Sequence, residues 1–453
     1  MPLRPVPATK NQYHYSVSAM YYYSLNHQSP DTNFEEATVR GQAPDKGLYF
    51  PSFIPKLPAG FFESIRSLSK EEISLTVMKP YVAGSIPDAV LQQIINETIG
   101  FDFPLVQVNS DIFSLELFHG PTLAFKDVGA RFMSRCLGYF NRNSNHHTTV
   151  LVATSGDTGG AVANGFLGVD AVDVIILYPT GKVSPIQELQ LTTCGQNITA
   201  VEVEGTFDDC QAMVKSAFMD EELNGKYSLT SANSINVARW LPQQLYYFFA
   251  YQQWREEQPP VCCVPSGNFG NICAGMMAYA SGLPVRHFIA ACNSNDVVPQ
   301  FLNSGNYEPK NSVATISNAM DVGSPSNFVR IMEIFEGRLS NLKKILSGAT
   351  VDDDSTAATI KAVFEKYGYT LDPHGAVGYY ALQQYLEQNK QDNLKGFFLE
   401  TAHPVKFPGT VEIATQKKIA FPDSVQYLLQ KEKKSIALKS GFSHLKEWMM
   451  SKA

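Results

Sequence analysis

Thr148-Thr-Val-Leu-Val-Ala-Thr-Ser-Gly-Asp-Thr-Gly-Gly160 is the stretch whose reading decides the fold. Its first six residues are apolar or β-branched with no in-out alternation, as in a strand covered on both faces. Residues 154–160 then supply hydroxyls, one carboxylate and three glycines, and 161–167 read as helix. Strand, Gly-rich turn and helix form the repeating unit of a parallel sheet. The same grammar recurs outward from this point. Residues 172–178 are an apolar strand, and 198–203 are another, followed by a helical pattern over 208–222. Residues 261–264 lead into Pro265-Ser-Gly-Asn-Phe-Gly-Asn271 and a helix over 272–280. Residues 287–292 and 396–400 are further strands. The pattern predicts an α/β protein with parallel sheets. In such sheets ligands bind beyond the carboxyl ends of the strands. Residues 155–159, 266–271 and 400–403 fall there.

Upstream the rhythm differs. Residues 21–100 are mostly helical by pattern, with no sign of a parallel sheet. A helix over 69–78 opens on Ser69-Lys-Glu-Glu72, an N-cap followed by acids. A second over 86–99 closes at Gly100. Residues 1–19 are polar and patternless and are set apart as an extension, whether a cloning remnant, an alternative start or a targeting piece. The domains expected are 20–103, mostly helical; 104–260, with the first Gly-rich turn; and 261–453, with the second and the C-terminal helices.

The chain has 453 residues, 44% of them apolar and 17% charged, which suits two or three globular domains. The net charge is −7, and no Lys/Arg run of useful length occurs, so neither nucleic acid nor an anionic membrane is an expected partner. No apolar run approaches the roughly 20 residues of a membrane span. Seven cysteines are scattered without a CxxC, which suggests neither a disulfide framework nor a zinc site. Free thiols fit a reducing, cytoplasmic setting.

Three places offer chemistry. Glycines between a strand and a helix let backbone N–H groups converge on an anion, so Ser266-Gly-Asn-Phe-Gly-Asn271 reads as a phosphate site or as a plain tight turn. Ser155-Gly-Asp-Thr-Gly159 reads the same way, with Asp157 either opposing an anion or capping the helix. Lys126 opens a helix striped with Val128, Phe132, Cys136 and Phe140, and follows Phe125. It is either a desolvated amine available as a nucleophile or a lysine reaching to solvent. Thr401 offers a neutral hydroxyl, and His403 fits a satisfied loop histidine.

Eight blocks in order resemble the threonine synthase family over 20–422. They are Arg40-Gly-Gln-Ala-Pro-Asp-Lys-Gly-Leu-Tyr-Phe-Pro51, His119-Gly-Pro-Thr-Leu-Ala-Phe-Lys-Asp127, Ala153-Thr-Ser-Gly-Asp-Thr-Gly-Gly160 and Tyr178-Pro-Thr-Gly-Lys-Val-Ser-Pro-Ile-Gln-Glu188. Asn233-Ser-Ile-Asn-Val-Ala-Arg239, Pro265-Ser-Gly-Asn-Phe-Gly-Asn271, Leu371-Asp-Pro-His374 and Glu400-Thr-Ala-His-Pro404 complete the set. Thr180, within the fourth block, stands where the family varies.

The resemblance implies two parallel-sheet domains of the tryptophan synthase β type (fold type II) behind a mostly helical N-terminal domain. It implies pyridoxal 5'-phosphate as cofactor. It also implies a lyase of amino-acid biosynthesis that turns O-phospho-L-homoserine and water into L-threonine and phosphate by γ-elimination and β-addition. Carried over, Lys126 matches the Schiff-base lysine and the catalytic base. Gly267, Asn268, Phe269, Gly270 and Asn271 match the cofactor's phosphate loop, and Thr401 the residue facing the pyridine nitrogen. Ser155, Gly156, Asp157 and Thr158 match the loop facing the substrate. Lys182, Ser184, Asn236 and Arg239 match blocks assigned to the substrate phosphate. The alternatives are a phospho-lyase releasing 2-oxobutyrate and a catalytically silent pyridoxal-phosphate-binding relative. A monomer or homodimer is expected, with no metal.

Overall fold

A computed structural model describes residues 20–142 and 147–452. The extension set apart at 1–19 lies outside the described residues. Among the described residues thirteen strands occur: β1 Tyr22–Ser24, β2 Tyr49–Pro51, β3 Leu105–Gln107, β4 Ile112–Glu116, β5 Thr148–Ala153, β6 Val172–Pro179, β7 Ile198–Glu204, β8 Ser228–Thr230, β9 Val261–Pro265, β10 His287–Cys292, β11 Leu346–Thr350, β12 Gly396–Glu400 and β13 Ile436–Lys439. They form an antiparallel β1-β2 ribbon and two larger sheets. One runs β11-β10-β9-β12-β4-β3, the other β13-β7-β6-β5-β8. Every pairing in the larger sheets is parallel except β3 on β4. All side chains of β5, β9 and β12 are buried, as expected for strands covered on both faces.

Sheet membership crosses the boundary expected at 260/261. β4 pairs with β12, Ile112 opposite Gly396, and so joins the sheet of the later region. β13 pairs with β7, Ile436 opposite Val201, and so returns to the sheet of the earlier one. The N-terminal part is mostly helical but also carries the β1-β2 ribbon, a pairing the helical pattern did not announce.

Several elements differ in extent from the reading of the sequence. The helix expected over 69–78 runs Lys70–Val82. Ser69 Oγ accepts from Glu72 N–H at 3.1 Å, and Glu72 Oε2 accepts from Ser69 N–H at 2.8 Å, so two end donors are satisfied at once. Pro80 forfeits one hydrogen bond near the helix end, but burial of Met78, Tyr81 and Val82 outweighs it. The helix expected over 86–99 spans Asp88–Thr98, after Pro87. The one expected over 208–222 is broken at Asp220, which ends Phe207–Met219 and caps Glu221–Lys226 by accepting from Leu223 N–H at 2.9 Å.

The helix Lys126–Asn141 lies beside the helix Asp157–Phe166. A Cβ on Gly165 would stand 3.1 Å from Ala130 C, so the missing side chain is what allows the approach. This packing brings the start of each helix, Lys126 and Asp157, to one place.

Candidate active site

Lys126 is the first residue of its helix. The chain on either side is pinned. Phe125 N–H donates to Thr401 O at 2.9 Å, the Tyr246 hydroxyl bonds to Phe125 O, and Arg239 Nη1 donates to Lys126 O at 3.2 Å. The amine lies 3.8 Å from Asp157 Oδ2. Burial lowers its proton affinity; Asp157 opposes that effect, while Lys406 and Arg239 reinforce it. Between the two alternatives left open by the sequence, the structure supplies a largely, not wholly, desolvated amine, its side chain 17% exposed.

Asp157 begins its helix directly after Gly156, whose φ is +135°. A Cβ on Gly156 would fall 2.5 Å from Gln187 Cδ, so both the backbone and the space there require glycine. The Asp157 carboxylate turns inward. Oδ1 accepts from Lys406 Nζ at 2.7 Å and from Gln187 Nε2 at 2.9 Å, leaving Oδ2 toward Lys126. Burial alone would raise this carboxyl, but Lys406 and Lys126 override it and hold the group well below the usual carboxylate range. Asp157 is therefore an anion already neutralised. Ser155 and Thr158, in the same turn, are only partly buried.

The second Gly-rich turn follows β9. Phe269 adopts a left-handed conformation, φ +62°, at the entry to the helix Gly270–Ala280. The N–H groups of Gly267, Asn268 and Phe269 meet no protein acceptor among the described residues. Side chains fix the turn around them. Ser266 Oγ donates to Asn271 Oδ1 at 2.9 Å, and Asn271 Nδ2 to Pro265 O at 2.8 Å. Asn268 Nδ2 donates to Ser234 Oγ at 2.8 Å, and Asn268 Oδ1 accepts from Ser326 N–H at 2.6 Å. Segment 234–239 thus touches the turn at one end and, through Arg239, Lys126 at the other.

Thr401 is buried beside Phe125, and the following Ala402 forms a bridge with Ala124. Behind it lies a buried acid pair. Glu400 Oε1 accepts from Asp372 N–H at 2.6 Å, and burial together with Asp372 pushes the Glu400 carboxyl well above its ordinary range. Asp372 Oδ1 pairs with His374 Nδ1 at 2.5 Å, while His374 Nε2 accepts from Ala319 N–H at 3.2 Å. Ala319 and Met320 pack on Gly267. The acid pair therefore connects the segment before Thr401 with the backing of the Gly-rich turn.

The four residues expected at a substrate phosphate are not alike. Lys182 is exposed. Ser184, whose N–H donates to Gln187 Oε1 at 3.1 Å, lines a cleft of about 330 Å³ with Gln187, Thr315, Asn318 and Lys406. Asn236 is fully buried and committed. Its Nδ2 donates to Thr38 O at 2.8 Å, and its Oδ1 accepts from Ala238 N–H at 3.0 Å. Arg239 is buried under the Lys126 backbone, which lowers its proton affinity to about 10, and its Nε has no partner among the described residues. Lys406 and Gln187 were not singled out by the sequence. The available signal was Lys406 between Val405 and Phe407, the same apolar flanking that marked Lys126. Among the described residues no His/Cys/Asp/Glu cluster suits a metal, and no helix is long and apolar enough to cross a membrane.

Residues 103–396 match the family of pyridoxal-phosphate dependent enzymes. Residues 21–99 match the threonine synthase N terminus and 375–449 the threonine synthase C-terminal family. The threonine synthase of Escherichia coli (strain K12) is 42% identical over 434 residues, 95% of this chain and 100% of that one. The solved structure of Escherichia coli threonine synthase aligns with a TM-score of 0.88 over 96% of this chain and 100% of that one, at 40% identity. A pyridoxal-phosphate-bound threonine synthase from Brucella melitensis aligns at 0.90 over 96% and 99%, with 36% identity. The fold and the site thus define a pyridoxal-phosphate enzyme of fold type II. Within that class, the chain belongs to the threonine synthase family.

The residues present fit the cofactor. Unpartnered N–H groups at 267–269, beside a helix start, suit its phosphate, and the buried amine of Lys126 suits its aldehyde.

Proposed function

We propose that the chain converts O-phospho-L-homoserine and water to L-threonine and inorganic phosphate, with Lys126 as the anchoring amine and the proton carrier. The observation that supports this most is the largely buried amine of Lys126, held beside Asp157 in a chain aligned along the whole length of a threonine synthase. Bound pyridoxal phosphate supplies an electron sink for the substrate's α-carbon. Gly267, Asn268, Phe269, Gly270 and Asn271 hold its phosphate through their backbone. Thr401, whose carbonyl is tied to Phe125, would offer a neutral hydroxyl to the cofactor's ring nitrogen.

The Lys126 amine would take the proton from Cα and then from Cβ of the substrate. Phosphate leaves Cγ, the amine returns one proton to Cγ and one to Cα, and water gives its hydroxyl to Cβ and its remaining proton to the released phosphate. Ser155, Thr158 and the backbone at Gly156 bind the substrate carboxylate. Asp157, already paired, does not repel it. Ser184, and Lys182 from the exposed rim, receive the substrate phosphate. Asn236 and Arg239 serve that subsite by shape, holding segment 234–239 against Lys126. The work fits the cytoplasm, where the free cysteines stay reduced, and a monomer or homodimer.

The test is a product assay with O-phosphohomoserine and added pyridoxal phosphate. Threonine and phosphate are expected in equal amounts, and Lys126→Ala should lose at least about 10²–10⁴-fold in rate. Release of 2-oxobutyrate in place of threonine would overturn the reading.

A further inference from the structure

Lys406 is a fully buried lysine at the end of the short turn Pro404–Lys406. Burying an ammonium is costly unless it is paired and hydrogen-bonded. Here Nζ has two partners, Asp157 Oδ1 at 2.7 Å and Thr122 O at 2.8 Å. The Asp157 carboxylate is shared between two amines, one oxygen on Lys406 and the other 3.8 Å from Lys126. Thr122 also donates its N–H to Asp127 Oδ2 at 2.9 Å, so the segment leading to Lys126 is gripped from both sides.

We propose that Lys406 is a positioning residue: it clamps Asp157 as a permanent anion between two ammonium groups and so sets how readily Lys126 gives up its proton. An Asp157 left with Lys126 alone would form a plain ion pair and keep that amine charged. A charged amine cannot attack an aldehyde. With Lys406 in place, the anion is half spent, and a second positive charge stands near Lys126. The charged groups acting on Lys126 are Asp157, Lys406, Arg239 and Asp372. Of these, Lys406 is the one bonded directly to the same carboxylate, and it is far along the chain from either partner.

The inference rests on Lys126 as the cofactor-anchoring amine. Its test is the rate at which the cofactor-free full-length protein takes up pyridoxal phosphate, read by visible absorbance across pH. Lys406→Met should move the midpoint of this profile to higher pH by about one unit, which is about tenfold slower uptake below the midpoint. Lys406→Arg should stay near wild type. Asp157→Asn keeps an oxygen for Lys406 and Gln187 but removes the anion, and it should move the midpoint to lower pH. This second variant tests the same coupling if Lys406→Met does not fold. Opposite shifts support the inference. Unmoved midpoints in folded variants overturn it alone, and wild-type protein that takes up no pyridoxal phosphate at Lys126 overturns it together with the proposed function.

Discussion

His403 stands between Phe118, at a ring separation of 5.1 Å, and the turn that it starts. Its Nδ1 accepts from Val405 N–H at 3.1 Å, which requires a ring nitrogen without a proton. Burial, with His119 nearby, lowers its proton affinity to about 4, against 6.5 in an unfolded chain. The unfolded state therefore binds more protons between these values, so the contribution of His403 to stability is intact above about pH 6.5 and is lost as pH falls toward 4. His403→Asn places an oxygen where Nδ1 was and does not titrate. Thermal melts of this variant should decline less steeply than wild type from pH 6.5 to 4; coincident slopes would contradict the assignment. The same turn ends on Lys406, so His403 helps place the clamp on Asp157. Residues of this kind were hard to read in the sequence. The role proposed for Lys126 could be put forward from the sequence because a whole block surrounds it. Lys406 lies two residues past the last quoted block, and nothing in a linear string shows that it folds back onto Thr122 and Asp157.

Among elements, the Gly-rich turn after β9 is tightly backed. A Cβ on Gly267 would stand 2.7 Å from Met320 Cα, a backbone atom that cannot swing aside. Gly267→Ala should weaken pyridoxal phosphate binding by at least about tenfold, or about 1.4 kcal/mol, as measured by titration, while the melt keeps a single transition. Unchanged affinity would show that the turn does not carry the phosphate. The strands that sequence reading found, β5, β6, β7, β9, β10 and β12, lie inside their sheets and are apolar for that reason. Those it missed in the two large sheets are β3, β4, β8, β11 and β13. Four of these are sheet edges, where one side lacks a neighbour and polar residues such as Gln107 and Lys439 are tolerated. β4 lies one place in from the edge, and its Ser114 and Glu116 are satisfied by the Tyr369 hydroxyl, a partner 253 residues or more away.

At the level of the whole molecule, the C-terminal helix Phe442–Met450 seals the sheet of β5 to β7. Leu445 and Met449 are fully buried in the cluster of Val201, Val203 and Met213. Leu445→Ala should destabilise the fold by about 2–5 kcal/mol in denaturant titrations, through lost burial and the cavity left behind. A change below about 0.5 kcal/mol would mean that the helix is not part of the packed unit.

The crossing of sheet membership between the two halves sets an order of events during synthesis. β4 needs β12, and about 280 residues separate them. A ribosome adding roughly 5–20 residues per second exposes β4 for on the order of tens of seconds before its partner exists. Through that interval Ile112 and Leu115 belong to an unfinished sheet, and β7 waits in the same way, over a somewhat shorter stretch, for β13, the last strand to emerge. The nascent chain should therefore draw on holding chaperones until its last strand has emerged.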